Sequence, residues 1–281
     1  MTDMLGKICI VTGSNSGIGK ETVLALAEMG ASVVMAVRNL ERGQAALEEI
    51  LQQIEEPHIE LMQCDVASKS SIEKFASEFN SNFDSLHVLV NNAGAVFNRR
   101  QMTDDGFERT IAVNYLGPFL LTRELLPLLK SSAPARVVNL SSGLYKSGRV
   151  NLDDLQSEKK YSSQKVYRNA KLLLLMQTYS LARKLEGSGV AVNAVLPGFV
   201  ATNLGKNSGS RMQDLMFGMM KPFQSKPKKG AETSVYVASS PEVEGLSGKC
   251  FSKKQVISTT ELSNDESLQN QLWDKTGELL G

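Results

Sequence analysis

Net charge is nearly absent from this chain: 31 Lys and Arg stand against 30 Asp and Glu, leaving +1 at neutral pH. So weak a field offers no global attraction for nucleic acid or an anionic membrane. No basic stripe with interleaved aromatics supplies a local one, so a nucleic-acid partner is not expected. Cysteine is scarce too. Cys9, Cys64 and Cys250 share no metal-like spacing, and each is expected in a strand. They read as reduced, buried thiols, and no metal is expected. No apolar run approaches the roughly 20 residues of a membrane helix. The opening Met1 to Lys7 lacks a signal-peptide core. A cytoplasmic protein with no transmembrane segment is the expectation. Linkers rich in Pro, Gly or Ser are missing and internal repeats are absent, so residues 1–281 are expected to form one domain.

What is present is alternation. Apolar runs expected as strands fall at Ile8–Val11, Val33–Val37, Ile59–Gln63, Leu86–Val90, Arg136–Leu140 and Val190–Leu196, with a short seventh at Gly248–Phe251. Helical patterns lie between them: Lys20–Met29, Leu40–Ile54, Ser68–Phe83, Thr103–Lys130 with a break near Gly117-Pro118, and Tyr167–Glu186. Strands alternating with helices imply parallel pairing and right-handed crossovers. The fold class is α/β, a single-domain doubly wound parallel sheet of about seven strands with helices on both faces. In such sheets ligands bind beyond the carboxyl ends of the strands.

One stretch organises the rest: Thr12-Gly13-Ser14-Asn15-Ser16-Gly17-Ile18-Gly19, between the first strand and the first helix. Glycines let a backbone turn sharply and approach a phosphate closely. The helix behind them offers free N–H groups and a positive dipole end. Alone, the Gly-x3-Gly-x-Gly spacing could equally be a plain tight turn. Downstream, Asn91-Asn92-Ala93-Gly94, Asn114, Ser141-Ser142, Tyr167-x-x-x-Lys171 and Pro197-Gly198 follow in order, mostly at strand carboxyl ends.

With these motifs in this order the chain resembles the short-chain dehydrogenase/reductase family over essentially its whole length. The resemblance implies a Rossmann-like fold and hydride transfer between a nicotinamide dinucleotide and a carbonyl or alcohol. In it, Tyr167 is the acid–base. A phenol near its ordinary pKa of about 10 needs roughly 4 kcal/mol of phenolate stabilisation to reach 7. Lys171, four residues on and so on the same helix face, can contribute it. Lys171 also binds the nicotinamide ribose, Ser142 hydrogen-bonds the substrate oxygen, and Asn114 holds a water linking the lysine to solvent. A second Tyr-x-x-x-Lys, Tyr161 to Lys165, lies six residues upstream. Ser162-Ser163 read as N-cap residues, so Tyr161 is expected outside the helix.

The resemblance extends to the dinucleotide contacts: the glycine turn from Gly13 to Gly19, then Asp65 and Val66 at the adenine. Asn91, Ala93 and Gly94 pack on the adenosine side, and Pro197, Gly198, Val200 and Thr202 lie along the nicotinamide. An NAD site wants an acid about 20 residues past the glycine loop, whereas Arg suits a 2′-phosphate. Here Arg38-Asn39 fills that place with no acid before Glu41, which favours NADP(H) over NAD(H).

The likeness is greater to the retinol dehydrogenase branch. It rests on Gly17-Ile18-Gly19-Lys20-Glu21-Thr22, the Ser142-to-Tyr167 insertion with Asn151-Leu152-Asp153-Asp154-Leu155, Glu186-Gly187-Ser188-Gly189-Val190, Ser247-Gly248-Lys249-Cys250-Phe251 and Leu272-Trp273. It implies a small lipophilic aldehyde, ketone or alcohol as substrate, a carbonyl reductase. Residues 203–228, with Met212, Met216, Met219 and Met220, are expected to cover it, or else to seal the core as an ordinary helix. Lys221, Lys226, Lys228 and Lys229 read as a solvated loop or a patch touching anionic lipid. Leu172-Leu173-Leu174-Leu175-Met176 is apolar on consecutive positions, so its helix is buried on both sides, one against the sheet and the other against a second copy in a homodimer. The competing reading is a catalytically silent cofactor-binding sensor or scaffold, since a fold does not prove turnover. The intact Asn114, Ser142, Tyr167 and Lys171 set argues against it.

Overall fold

The computed structural model describes residues 3–198 and 226–281. Its strands are β1 (Ile8–Thr12), β2 (Ser32–Val37), β3 (Ile59–Gln63), β4 (Val88–Asn91), β5 (Ala135–Leu140), β6 (Val190–Leu196), β7 (Cys250–Ser252) and β8 (Gln255–Ile257). They form one sheet in the order β3-β2-β1-β4-β5-β6-β7-β8. Every neighbouring pair is parallel except β7 with β8. Strand order reverses between β1 and β4, which opens a crevice at their carboxyl ends.

Alternation along each strand builds two cores. Ile10, Val34, Leu89 and Val137 face one way. They meet α3 (Lys69–Asn82), α5 (Gly117–Ser131) and α6 (Ser163–Lys184). Cys9, Val11, Val33, Met35 and Val90 face the other. They meet α1 (Gly17–Glu28), α2 (Leu40–Leu51) and, near the end of the chain, α7 (Pro227–Ser239). Strand residues buried on both sides explain the continuous apolar runs.

Three expectations need correcting, and a fourth loses the observation it rested on. The sheet has eight strands among the described residues, not seven. β8 was hidden because its hairpin turn uses Lys253 and Lys254, both left-handed (φ 50 and 62), where Asn-Gly would normally announce the turn. Cys64 lies one residue beyond β3, although it is buried and free like Cys9 and Cys250. The segment after β4 becomes helical only at α4 (Arg109–Ile111), and it does not break at Gly117-Pro118. Pro118 has no N–H for the Asn114 carbonyl four residues back. The chain widens into a π turn over Ala112–Leu116 and runs directly into α5. Gly117 is required there, since a Cβ would collide with the Val66 carbonyl.

The fourth concerns α6. Leu172 to Met176 are all at most 1% exposed within the single chain. Their outer side meets α8 (Glu261–Asn264) and α9 (Glu266–Leu280). Trp273 packs on Phe119 and under the Lys184 ammonium. The apolar face that suggested a second copy is covered by the chain's own C-terminal helix, capped by Asp265 accepting from the Leu268 N–H. Among the described residues no helix is long and apolar enough to cross a membrane.

Candidate active site

The glycine turn leaves β1 through Gly13 and enters α1 at Gly17, both left-handed (φ 63 and 59). A Cβ on Gly13 would sit 2.9 Å from the Ala93 Cα, and one on Gly19 would sit 2.6 Å from the Gly13 carbonyl oxygen. The turn is therefore closed against itself and against the loop after β4. Thr12 and Asn92 lock that contact. Thr12 Oγ1 accepts from the Asn92 and Ala93 N–H groups, both at 3.0 Å, and Asn92 Nδ2 donates to the Thr12 carbonyl at 2.7 Å. Both residues lie in motifs legible in the sequence, but neither was given a role of its own there.

Ser16 caps α1 in extended geometry without a side-chain hydrogen bond, and the first turn holds no acid. The helix thus presents its amino-terminal N–H groups without a side-chain acceptor from its cap. Ser14 Oγ is buried beside them with no partner. Asn15 is half-buried, and Ile18 turns into the core. A cradle with free donors, an orphaned hydroxyl and no room for a Cβ fits a dinucleotide's phosphates.

At the end of β2, Arg38 is exposed, and its guanidinium has no hydrogen bond or ion pair among the described residues. Lys20 is engaged, paired to Glu49. Asn39 Oδ1 accepts from the Arg42 N–H at 2.8 Å and caps α2. Asp65 folds its carboxylate onto the Ala67 N–H, and Val66 is buried beside Gly117. Asn91 Nδ2 donates to Asn139 Oδ1 at 2.8 Å and Thr122 Oγ1 at 3.0 Å, and its Oδ1 is buried without a partner. Ala93 and Gly94 are half-buried at the wall of the crevice.

Beyond β5, Ser142 caps a short turn of 3₁₀ helix through the Leu144 N–H. Tyr167 and Lys171 share the buried face of α6, as their spacing predicts. The Lys171 ammonium donates to the Leu140 carbonyl at 2.8 Å, while Ser141 Oγ donates to the Lys171 carbonyl at 2.8 Å. Helix and strand end are thus stitched together where the two side chains meet. Burial pushes Lys171 down to about 7. Burial pushes Tyr167 up to about 12, with the neighbouring Ser142 hydroxyl pulling the other way. The sequence expectation was a lowered phenol. Desolvation governs both groups, and the ammonium lies over the ring, 5.8 Å from its centroid.

Asn114 sits in the π turn, fully buried, and that turn packs against α6. Its Nδ2 donates to the Ala95 carbonyl at 2.7 Å and the Thr110 carbonyl at 2.8 Å, leaving Oδ1 buried without a partner. An orphaned acceptor of this kind suits a water or an ammonium. Tyr161 lies outside α6, as expected, donating to the Phe97 carbonyl at 2.7 Å, and Lys165 is exposed. Pro197 and a left-handed Gly198 end β6. Val200, Thr202, residues 203–225 and Lys221 lie outside the described residues. Lys226, Lys228 and Lys229 are exposed at the start of α7.

Comparison with known proteins adds the context. The family model described as short chain dehydrogenase matches residues 7–213. Retinol dehydrogenase 12 of Mus musculus is 40% identical over 276 residues, covering 98% of this chain and 87% of that protein. Retinol dehydrogenase 14 of Homo sapiens is 40% identical over 293 residues, covering 99% and 87%. A crystal structure of an uncharacterised protein from Mycobacterium paratuberculosis superposes with a TM-score of 0.82 at 30% identity, covering 100% of this chain and 95% of that one.

Proposed function

Since this chain belongs to the short-chain dehydrogenase family, in its retinol dehydrogenase-like part, we propose that it is an NADP(H)-dependent oxidoreductase interconverting an apolar aldehyde or ketone and its alcohol. One observation carries the proposal: Tyr167 and Lys171 are buried on one face of α6 where the carboxyl end of β5 meets it.

The bound dinucleotide supplies the hydride. The chain's own residues handle the oxygen and its proton. Burial keeps Tyr167 protonated, so its hydroxyl is a donor throughout the neutral range. Ser142 orients the substrate oxygen toward that donor. Lys171, near 7, can gain and lose a proton at neutral pH, which is where a relay group is most effective. Asn114 Oδ1 is the free acceptor on the route by which that proton is replaced. Arg38, exposed and unpaired, supports a 2′-phosphate over a bare ribose. The relatives' names support an apolar, retinoid-like carbonyl.

Oxidation of NADPH and of NADH, followed optically across apolar aldehydes and ketones including retinal, tests this. Turnover with NADPH is expected. Dinucleotide binding without turnover of any carbonyl or alcohol supports the sensor reading instead. Absence of binding to both overturns the proposal.

A further inference from the structure

The upstream tyrosine that imitates the catalytic motif has a place of its own beside the site. Its hydroxyl donates to the Phe97 carbonyl at 2.7 Å. A phenol has one hydrogen, so the Thr110 hydroxyl, 3.3 Å away, donates to the Tyr161 oxygen. These two contacts join the irregular segment after β4 to the start of α4. The same two segments hold Asn114, whose Nδ2 is shared between the carbonyls of Ala95 and Thr110.

The α4 side of this junction is anchored further. Glu108 is fully buried, its carboxylate caps the Ile111 N–H at 2.8 Å, and its own N–H donates to Gln156 Oε1 at 2.8 Å. Gln156 lies in the same connection between β5 and α6 as Tyr161. Residues 92–100 of the segment after β4 have no strand or helix of their own, and the next tie is an isolated antiparallel bridge between Met102 and Glu108. Arg109 lies over the Phe97 ring at 5.0 Å, but it is only half-buried.

Taking the proposed function as given, we propose that Tyr161 is a positioning residue for Asn114: its hydroxyl fixes the spacing between the two segments whose carbonyls hold the Asn114 amide, and so aims Asn114 Oδ1. A relay acceptor off by a fraction of an ångström loses much of its effect. Burial holds the Tyr161 phenol above its ordinary range, so it remains a donor at neutral pH.

The test uses Tyr161→Phe, Asn114→Ala and the double variant of the full chain. It reads NADPH-dependent reduction of an apolar aldehyde together with backbone amide exchange over residues 111–116. Tyr161→Phe is expected to lower kcat about 10- to 100-fold with KM and NADPH affinity little changed, and to speed exchange in that segment. In the Asn114→Ala background it is expected to add nothing further. Thr110→Val is a second route to the same lesion, which Thr110→Ser should avoid. An equal loss from Tyr161→Phe in both backgrounds overturns the inference, as does unchanged exchange. Asn114→Ala with full activity also overturns the inference, because Tyr161 then has no relay acceptor to aim. If the parent protein turns over no carbonyl, the proposed function fails, and the exchange data alone still decide whether Tyr161 holds the segment.

Discussion

The Lys171 ammonium lies 5.8 Å from the centroid of the Tyr167 ring and donates to the Leu140 carbonyl at 2.8 Å. The buried Lys171 amine thus faces an aromatic ring and a neutral strand-end acceptor, with no carboxylate paired to it among the described residues. Desolvation therefore governs both members of the pair.

Removing the Tyr167 hydroxyl should stop chemistry and spare binding. Tyr167→Phe keeps the ring that packs in the buried site, so NADPH affinity is expected to stay within a few-fold. Turnover should fall at least ~100-fold, the usual scale for a lost proton donor. Steady-state kinetics with fluorescence titration of NADPH measure both. Tyr167→Phe with near-normal turnover would remove Tyr167 from the chemistry.

The Lys171 shift makes a stability prediction. With a pKa near 7 in the folded chain against 10.5 ordinarily, the unfolded chain holds a proton between those values that the folded chain has released. Stability from this group therefore rises with pH from about 7. The buried thiols of Cys9, Cys64 and Cys250, each raised to about 12 by burial, act oppositely above about 9. Urea midpoints from pH 7 to 9 should climb more steeply for the parent than for Lys171→Met. Parallel curves would show that Lys171 stays charged.

Gly19→Ala places a Cβ against the Gly13 carbonyl and the Asn92 amide. It should weaken dinucleotide binding at least about ten-fold and lower the Tm, because the atoms it meets are mostly backbone. Gly277→Ala, in α9 with open space around the new Cβ, should instead stabilise by about 0.5–1 kcal/mol. Calorimetry on both variants checks the contrast, which a tolerant Gly19 would refute.

Arg38→Asp should reverse cofactor preference. Loss of the guanidinium is expected to weaken NADPH about 10- to 100-fold, the scale of a lost charge-assisted pair. A new carboxylate should favour the ribose diol of NADH. Isothermal titration with both dinucleotides decides. An unchanged ratio means Arg38 only faces solvent.

Local patterns were legible in the sequence. The glycine turn, the six principal strands and the Tyr167-Lys171 face could be read from residue types a few positions apart. The N-cap at Ser162, which excluded Tyr161 from the helix, was equally local. The exchange of roles between Asn91 and Asn92 was not. Which asparagine turns inward depends on Asn139 and Thr122 being within reach, and those residues are distant in sequence.

Periodicity, glycine placement and motif order by themselves determined a doubly wound sheet with a phosphate-sized turn and a tyrosine–lysine pair at its carboxyl edge. These depend on backbone sterics and helix pitch, which act over a few residues. Folding decided the rest. The C-terminal helix took the outer face of α6, the Lys-Lys turn added β8, and burial raised Tyr167 while lowering Lys171. Dielectric surroundings and long-range packing are properties of the assembled chain, and no window of neighbouring residues encodes them.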